Sequence, residues 1–221
     1  MHIHHLLSEN SVANTFISEL RNINVQKDQM RFRRNIERVG EILGYELSKK
    51  LSYQPQTITT PLGESTHHII QNELVVCSIL RAGLPLHQGL LNYFDKAENS
   101  FISAYRHHPN PDNDAEFEIK VEYLASPSLE GKTLILADPM LATGRSFVNV
   151  YKALEKMGKP KEIHLVAVIG AEEGIQLLEQ EFPENTHLWI ATIDPKLNDR
   201  GYIIPGLGDA GDLCYGSKMQ H

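Results

Sequence analysis

The first clear pattern of apolar positions in the chain is a helical one. Between Asp28 and Leu51, apolar residues recur at intervals of three and four, namely Phe32, Ile36, Val39, Leu43 and Leu47. This spacing places an apolar stripe on one face of a helix and leaves the other face to charged residues. The first third of the chain is therefore predicted to be helical, with a helical region from about residue 8 to residue 52.

Beyond Pro61 the pattern changes to short apolar runs that alternate with helical stretches. The runs are typical of buried parallel strands, and they lie at Leu74–Leu80, Phe101–Tyr105, Leu134–Ala137, His164–Ile169 and His187–Ile193. Helices are predicted between them at Leu84–Phe94, Ser146–Met157 and Glu172–Phe182. The alternation predicts one α/β domain over residues 1–221, with a mostly parallel sheet flanked by helices. Ligands of such sheets bind at the carboxyl ends of the strands.

A polar segment, His107–Glu116, separates two of the strand-like stretches. It contains Pro109 and Pro111, so it is predicted to be a long exposed loop or the tip of a β-hairpin. Its two histidines, His107 and His108, are interpreted as a solvated pair rather than a catalytic base. Near the N-terminus, His2, His4 and His5 are interpreted as part of a frayed end rather than a metal site.

Composition narrows the class of protein. The formal net charge is -7, and no basic stripe of the kind used to bind nucleic acid is present. No apolar run approaches the roughly 20 residues that span a bilayer, and no secretion signal is recognised. With two cysteines, Cys77 and Cys214, the chain has no disulfide framework. We expect a cytoplasmic protein that binds neither nucleic acid nor membranes.

The chemistry-bearing motif with the clearest physical basis runs from Asp138 to Ser146, in the string LILADPMLATGRS. An apolar strand ends at an acid, and Thr143, Gly144 and Ser146 then open a helix. The unpaired N–H groups and the positive dipole end of a helix start bind phosphate, and Gly144 permits close approach. Asp138 can accept hydrogen bonds from sugar hydroxyls. A plain strand-to-helix turn with a capping hydroxyl explains the same residues without a ligand.

The string DPMLATGRS resembles the phosphoribosyl pyrophosphate (PRPP) signature of the uracil phosphoribosyltransferases. The resemblance implies that PRPP is bound by the whole turn, comprising Asp138, Pro139, Met140, Leu141, Ala142, Thr143, Gly144, Arg145 and Ser146. The family usually has glycine where this chain has Arg145, which adds a charge near the phosphate.

Two arginines follow predicted strands and suit pyrophosphate. Arg81 lies in a turn with Gly83, in the string SILRAGLPL, and a guanidinium there can hold pyrophosphate bidentately. A surface arginine at a strand end is the plainer interpretation. The family shares the ILRAG string, and its arginine lies on the pyrophosphate. Arg106, after Tyr105, is similar to the family's second pyrophosphate arginine.

The C-terminal stretch Gly201–Gly216 is rich in glycine, which indicates a tightly folded loop whose backbone approaches something closely. Backbone N–H and C=O groups can match the edge of uracil and reject cytosine. A glycine-rich tail without a ligand is the alternative. The string YIIPGLGDAGD resembles the family's uracil-binding segment, at about residues 194–218. By resemblance, uracil is bound by Tyr202, Ile203, Gly206, Gly208, Asp209 and Ala210.

The resemblance covers most of the chain and implies a fold and an activity. The fold has N-terminal helices, a β-hairpin or flexible loop, and a C-terminal hood over the base. The activity transfers phosphoribosyl from PRPP to uracil, giving UMP and diphosphate, with Mg²⁺ held mainly by PRPP and with no protein ligand. The expected catalytic residues are Arg81, Arg106, Asp138 and Asp209.

Three further expectations follow. Asp209 is also expected to touch PRPP, and a homodimer or higher homo-oligomer is expected by resemblance. No nucleophile–base pair stands out, so catalysis by positioning and electrostatics is predicted. The alternatives are a phosphoribosyltransferase for another base, or a PRPP-sensing regulator of the same fold that binds nucleic acid.

Overall fold

A sheet of eight strands forms the centre of the protein, in a computed structural model that describes residues 1–107 and 118–218. Side chains are described for residues 1–103 and 122–218. The strands of the described residues, in chain order, are β1 (His2–His5), β2 (Tyr53–Thr60), β3 (Gly63–Ile70), β4 (Leu74–Leu80), β5 (Glu98–His107), β6 (Glu118–Ala125), β7 (Thr133–Ala137), β8 (Met140–Leu141), β9 (Glu162–Ala171), β10 (His187–Asp194), β11 (Lys196–Leu197) and β12 (Ile203–Ile204). Strands β2 and β3 form a separate two-stranded sheet, as do β11 and β12, and the other eight form the central sheet.

The helices lie between these strands. They are α1 (Ala13–Arg21), α2 (Gln29–Ser48), α3 (Gly83–Leu91), α4 (Arg145–Leu154), α5 (Glu172–Glu181) and α6 (Ala210–Tyr215), with short 3₁₀ turns at Leu6–Ser8 and Glu155–Met157. The predicted long helix is confirmed as α2, whose first turn is capped by Asp28, which accepts a hydrogen bond from the Arg31 N–H at 3.0 Å.

The sheet order confirms the predicted fold class. The strands run β1-β10-β9-β7-β4-β5-β6, and β8 pairs with β9. All pairs are parallel except β5–β6, which is antiparallel. Each predicted strand from Leu74 onward is present, as are the three predicted helices α3, α4 and α5. A mostly parallel sheet flanked by helices is therefore the fold of this chain.

Two apolar cores cover the two faces of the sheet. Val76 and Ile135 pack on one face with α1, α2 and α3, whereas Val75 and Leu134 pack on the other face with α4 and α5. Alternate residues of a strand point to opposite faces, so strands with uninterrupted apolar runs serve both cores. This is why β4 and β7 carry no polar alternation.

The prediction that the whole first third is helical is wrong for residues 53–70. These residues form the antiparallel hairpin β2–β3, linked through Pro61 and Leu62. Threonines occupy much of β2, and β-branched residues favour strands. Most of the hairpin is exposed, so it lacks the apolar alternation by which a strand is recognised.

The interpretation of the N-terminus as a frayed end is also wrong. His2–His5 form β1, which pairs in parallel with β10 at the edge of the sheet. The His4 ring stacks on Trp189 with centroids 3.8 Å apart, and His4 Nε2 lies 2.9 Å from His187 Nδ1. Stacked rings on neighbouring strands, rather than aliphatic burial, hold this end in place.

The polar segment at residues 107–116 was predicted to be a loop or hairpin tip. Its flanking strands, β5 and β6, do pair antiparallel, from Phe101↔Ala125 to His107↔Glu118, with a register shift between Ser103 and Ala104. The tip itself, including His108, lies outside the described residues.

Candidate active site

Three neighbouring strands end at the same edge of the sheet and carry the predicted site residues. Ser78 of β4 is paired with Ala137 of β7 on one side and Phe101 of β5 on the other. Arg81 follows β4, and Asp138 follows β7 directly. Because parallel strands end together, the turns that carry these two side chains are neighbours.

The turn after β7 is held in shape by β9. The carbonyl of Pro139 accepts hydrogen bonds from the N–H groups of Val168 and Ile169, at 3.0 and 2.9 Å. Met140 and Leu141 then continue as β8, alongside Ile169 and Gly170. The turn is therefore an extension of the sheet, and it delivers the chain to the first residue of α4, Arg145.

Gly144, the residue directly before α4, has a left-handed conformation with φ of +79°. A Cβ atom there would lie 2.8 Å from the carbonyl oxygen of Gly174, and a Cβ on Gly174 would lie 2.2 Å from that of Ala142. Two glycines thus let the turn pack directly on the first turn of α5. Around it, Ala142, Thr143 and Ser146 are half-buried and Arg145 is exposed. The amides at the start of α4 are therefore presented by a rigidly supported backbone.

Asp138 is half-buried, and its carboxylate accepts a hydrogen bond from the Met140 N–H at 3.1 Å. Burial raises its pKa to about 7, against the opposing effect of that hydrogen bond. An acid that changes charge near neutral pH at a strand end is typical of functional sites.

Arg81 connects the turn after β4 to the C-terminal helix. Its Nη2 lies 2.9 Å from Asp212 Oδ1, and its Nη1 donates to the Gly216 carbonyl at 3.3 Å. The preceding Leu80–Arg81 peptide bond is cis. The structure thus brings Arg81 and the C-terminal segment together.

Asp209 caps helix α6 by accepting a hydrogen bond from the Asp212 N–H at 2.9 Å, and its other oxygen lies 3.2 Å from Lys218 Nζ. Burial acts to raise the pKa of Asp209, but the Asp212 N–H and Lys218 outweigh it and lower the pKa below its ordinary value. Asp209 is therefore a carboxylate at neutral pH. Next to it, Ala210 is buried.

The predicted base-binding segment folds back on itself. Ile203 is buried and Tyr202 is exposed, and β12 pairs with β11 at Lys196↔Ile204. Gly206 and Gly208 have φ values of +63° and +94°, and a Cβ on Gly206 would lie 2.1 Å from the Ile203 carbonyl oxygen. Only glycine fits this bend.

Sequence reasoning missed the residues that hold this segment in place. Arg21 of α1 forms an ion pair with the buried Asp194 at 2.6 Å and donates to the Gly206 carbonyl at 3.2 Å. Asp194 in turn accepts from the Gly206 N–H at 2.8 Å. Gln26 donates to the Leu207 carbonyl at 3.0 Å. One signal pointed to Asp194: like Asp138, it ends an apolar strand and precedes proline.

The prediction that Arg106 follows a strand is wrong, because pairing with β6 extends β5 to His107 and places Arg106 within the strand, opposite Ile119. The Arg106 side chain is outside the described side chains, so its predicted place on pyrophosphate stays a prediction.

Among the described residues, no cluster of three or more His, Cys, Asp or Glu side chains is arranged to hold a metal ion. No described helix combines the length and the apolar character needed to cross a membrane.

Solved structures agree with the class of protein that this fold and site indicate. A hypoxanthine phosphoribosyltransferase from Staphylococcus aureus matches with a TM-score of 0.50, over 85% of this chain and 84% of its own, at 15% identity. The AQ2163 protein from Aquifex aeolicus matches more fully, with a TM-score of 0.86 and 29% identity over 99% of this chain and 100% of its own. The chain therefore has the phosphoribosyltransferase fold.

Sequence comparison gives the particular family. The family model described as uracil phosphoribosyltransferase matches residues 7–217. A uracil phosphoribosyltransferase from Porphyromonas gingivalis is 50% identical over 219 residues, covering 99% of this chain and 100% of the relative. This chain belongs to the uracil phosphoribosyltransferase family.

Proposed function

We propose that this chain transfers phosphoribosyl from PRPP to uracil, giving UMP and diphosphate. The observation that carries the proposal is the pair of contacts from Arg81 to Asp212 and Gly216, because they tie the turn after β4 to the C-terminal segment. A sugar-phosphate site and a base site must adjoin for the reaction, and these contacts join the Arg81 turn to α6 and the residue after it, directly beyond the segment assigned to the base.

The PRPP site is assigned to the turn from Asp138 to Ser146 with the two arginines. The amides at the start of α4 bind the 5′-phosphate, and the hydroxyls of Thr143 and Ser146 add hydrogen bonds. Asp138 accepts hydrogen bonds from the ribose hydroxyls. Arg81 and Arg106 bind the diphosphate. Arg81 gives up its ion pair with Asp212 to do so.

The uracil site is assigned to the segment from Tyr202 to Ala210. The backbone there matches the donor and acceptors on the edge of the base. Since Asp194 and Arg21 already pair with the N–H and carbonyl of Gly206, Gly206 also supports the fold of the segment. Gly208 is exposed, which suits a direct backbone contact.

The chemistry needs positioning and charge rather than a covalent intermediate. The bond from C1 of ribose to the diphosphate oxygen breaks while a bond to N1 of uracil forms, and the proton that N1 loses leaves with the diphosphate. Holding phosphate, ribose and base in line lowers the entropic part of the barrier. The two guanidinium groups stabilise the negative charge that leaves with diphosphate.

The proposal includes Mg²⁺, bound mainly through the oxygen atoms of PRPP. A hard cation prefers oxygen and retains waters, and Asp138, a half-buried carboxylate beside the turn, is compatible with a water-mediated contact. When bound, Mg²⁺ offsets the negative charge of the diphosphate. Diphosphate formation should therefore cease when a chelator removes the metal.

The test is UMP formation from uracil and PRPP with Mg²⁺, with hypoxanthine, cytosine and orotate as parallel acceptors. We expect turnover with uracil and little with the others. Arg81→Ala should raise the KM for PRPP by about tenfold or more, because a charge-assisted contact is lost. Arg34→Ala is the matched control, since its side chain is as exposed as that of Arg81 (44% against 41%) and also forms an ion pair.

Other outcomes would favour the alternatives. Turnover with another base would indicate a phosphoribosyltransferase of different specificity. Binding of PRPP without turnover of any base, together with a salt-dependent shift of nucleic acid, would indicate a regulator. Equal effects of Arg81→Ala and Arg34→Ala would contradict the place given to Arg81.

Two further parts of the proposal concern the setting of the enzyme. A homodimer or higher oligomer is proposed, with the exposed apolar side chains of the β2–β3 hairpin, such as Ile58 and the fully exposed Leu62, as a candidate contact. Sedimentation of the chain and of Leu62→Glu tests it. A cytoplasmic location is proposed because Cys77 and Cys214 are free thiols, which suit a reducing compartment.

A further inference from the structure

A chain of hydrogen bonds runs beneath the turn that carries Arg81. Ser78 Oγ lies 2.8 Å from His87 Nδ1, and His87 Nε2 lies 2.7 Å from Asn99 Oδ1. Asn99 Nδ2 donates to the Ala97 carbonyl at 3.2 Å. Ser78 is fully buried and His87 is 4% exposed, whereas Asn99 is exposed at the far end. The chain thus joins the end of β4, the middle of α3 and the start of β5.

The direction of these hydrogen bonds follows from the outer end. Because the Asn99 amide N–H donates to Ala97, its oxygen faces His87 and accepts from Nε2–H. In a neutral imidazole the other nitrogen is then an acceptor, so the Ser78 hydroxyl donates to Nδ1. Burial lowers the pKa of His87, which favours the neutral ring.

The chain fixes both sides of the Arg81 turn. Arg81 lies in the turn between β4 and α3. Ser78, on β4, comes before this turn, and His87, on α3, comes after it; α3 begins at Gly83. A Cβ on Gly83 would lie 3.2 Å from the Cβ of Ser78, so the start of α3 rests directly on Ser78. The ring of Phe101 packs on His87 with centroids 4.7 Å apart. Movement of Ser78 relative to α3 would therefore move Arg81.

Packing alone does not require polar groups here. Buried polar groups cost free energy unless they are paired, and apolar side chains of similar volume fill such a space at no desolvation cost. Paired groups, however, fix one relative arrangement of the elements that carry them. A turn that must present a guanidinium at one position has a use for such an arrangement.

We propose that Ser78, His87 and Asn99 are positioning residues for Arg81, holding the turn between β4 and α3 in the geometry in which Arg81 meets the diphosphate of PRPP. The inference rests on the proposed function, and it adds three residues that do not themselves touch the substrate. It predicts that breaking this series of hydrogen bonds weakens the binding of PRPP more than the binding of uracil.

The first test removes the hydroxyl by Ser78→Ala. We expect the KM for PRPP to rise by about tenfold, because His87 loses its donor and the turn loosens, while the KM for uracil changes by less than about twofold. Ser100→Ala is the matched control. Ser100 is also fully buried, on the adjacent β5, but it takes no part in the hydrogen bonds that link Ser78, His87 and Asn99. Equal kinetics for the two variants, or equal rises in both KM values for Ser78→Ala, would overturn the inference.

The second test acts from the exposed end, where folding is not at risk. Asn99→Ala removes the acceptor that orients His87, and the KM for PRPP should rise by a few-fold with Tm nearly unchanged. Asn92→Ala is the control, because Asn92 is an exposed asparagine at the end of α3 that pairs with Glu37 and Glu41 instead. Identical KM values for Asn99→Ala and wild type would count against the inference even if Ser78→Ala fails to fold.

Calorimetric binding of PRPP separates this inference from the proposed function. Wild-type protein that binds PRPP without forming UMP contradicts the proposed function, and a Kd weakened about tenfold in Ser78→Ala would still support the positioning role. Normal UMP formation by wild type, with an unchanged Kd in both variants, leaves the function intact and overturns the inference. Absence of PRPP binding to wild type overturns both.

Discussion

The phosphate turn, Asp138–Ser146, and the base segment, Tyr202–Ala210, are the two main parts of the proposed substrate site, but they are supported differently. The phosphate turn joins consecutive elements, and its support comes from neighbouring β9 and from α5. The base segment is held by side chains from the far end of the sequence, including Arg21 and Gln26.

This difference teaches where substitutions should act. A turn built from consecutive elements depends on the conformations its own residues adopt, so glycine replacements should affect it most. A segment held by distant side chains depends on charges that are buried with it. Under the proposed assignment, the KM for PRPP reports on the phosphate turn and the KM for uracil reports on the base segment.

The largest effect is expected from Arg21→Ala. The variant leaves Asp194, which is 4% exposed, without its cation, and loss of one partner of a buried ion pair costs about 3–5 kcal/mol. We expect kcat/KM for uracil to fall by about a hundredfold and Tm to drop, with a smaller change in the KM for PRPP.

Arg31→Ala provides the control for that variant. Arg31 pairs with Glu19 near the start of α2, at 3.2 Å, but its side chain is 50% exposed. An exposed pair contributes about 0–1 kcal/mol, so steady-state rates should stay close to wild type. If Arg21→Ala behaved like Arg31→Ala, the base segment would not depend on its distant support.

A smaller effect, on the other substrate, is expected from Gly144→Ala. The left-handed conformation costs an alanine about 1–2 kcal/mol, and its Cβ would lie 2.8 Å from the Gly174 carbonyl oxygen. The KM for PRPP should rise by about tenfold, while the KM for uracil changes less.

Gly131→Ala is the control for Gly144→Ala, because it introduces an alanine into a left-handed conformation without a steric clash. Gly131 has a similar φ of +70°, but no atom lies within 4 Å of its would-be Cβ. The variant should lose some thermal stability and keep both KM values. A PRPP effect of equal size in both variants would argue that general destabilisation, rather than the shape of the turn, controls binding.

The same contrast explains how far the sequence could predict the site. Asp138, Gly144 and Ser146 follow one another in a strand, turn and helix, so local pattern and physics suffice to predict that turn. Arg21 lies 173 residues from Asp194 along the chain. Nothing local to α1 distinguishes Arg21 from a solvated arginine, so its role appears only when the fold brings the two together.

The missed strand β1 has the same cause. It contains one aliphatic residue, Ile3, among three histidines, which no strand pattern favours. It forms because β10 offers a free parallel edge and rings that stack on His4. The buried strands β4 and β7 were predictable because their apolar runs show burial on both faces, wherever their partners lie.

The smallest effect is expected in the pH dependence of kcat/KM for PRPP, which tests the ionisation of Asp138 in the phosphate turn. Because the pKa of Asp138 is raised to about 7, the free enzyme gains the carboxylate as pH rises through that value. Since kcat/KM reports the free enzyme, kcat/KM for PRPP should increase a few-fold between about pH 6 and about pH 8 from this group. Asp138→Asn should be slower and should lack this component. PRPP titrates identically with both enzymes, so the difference between the two profiles isolates Asp138, and parallel profiles would show that its ionisation does not govern PRPP binding.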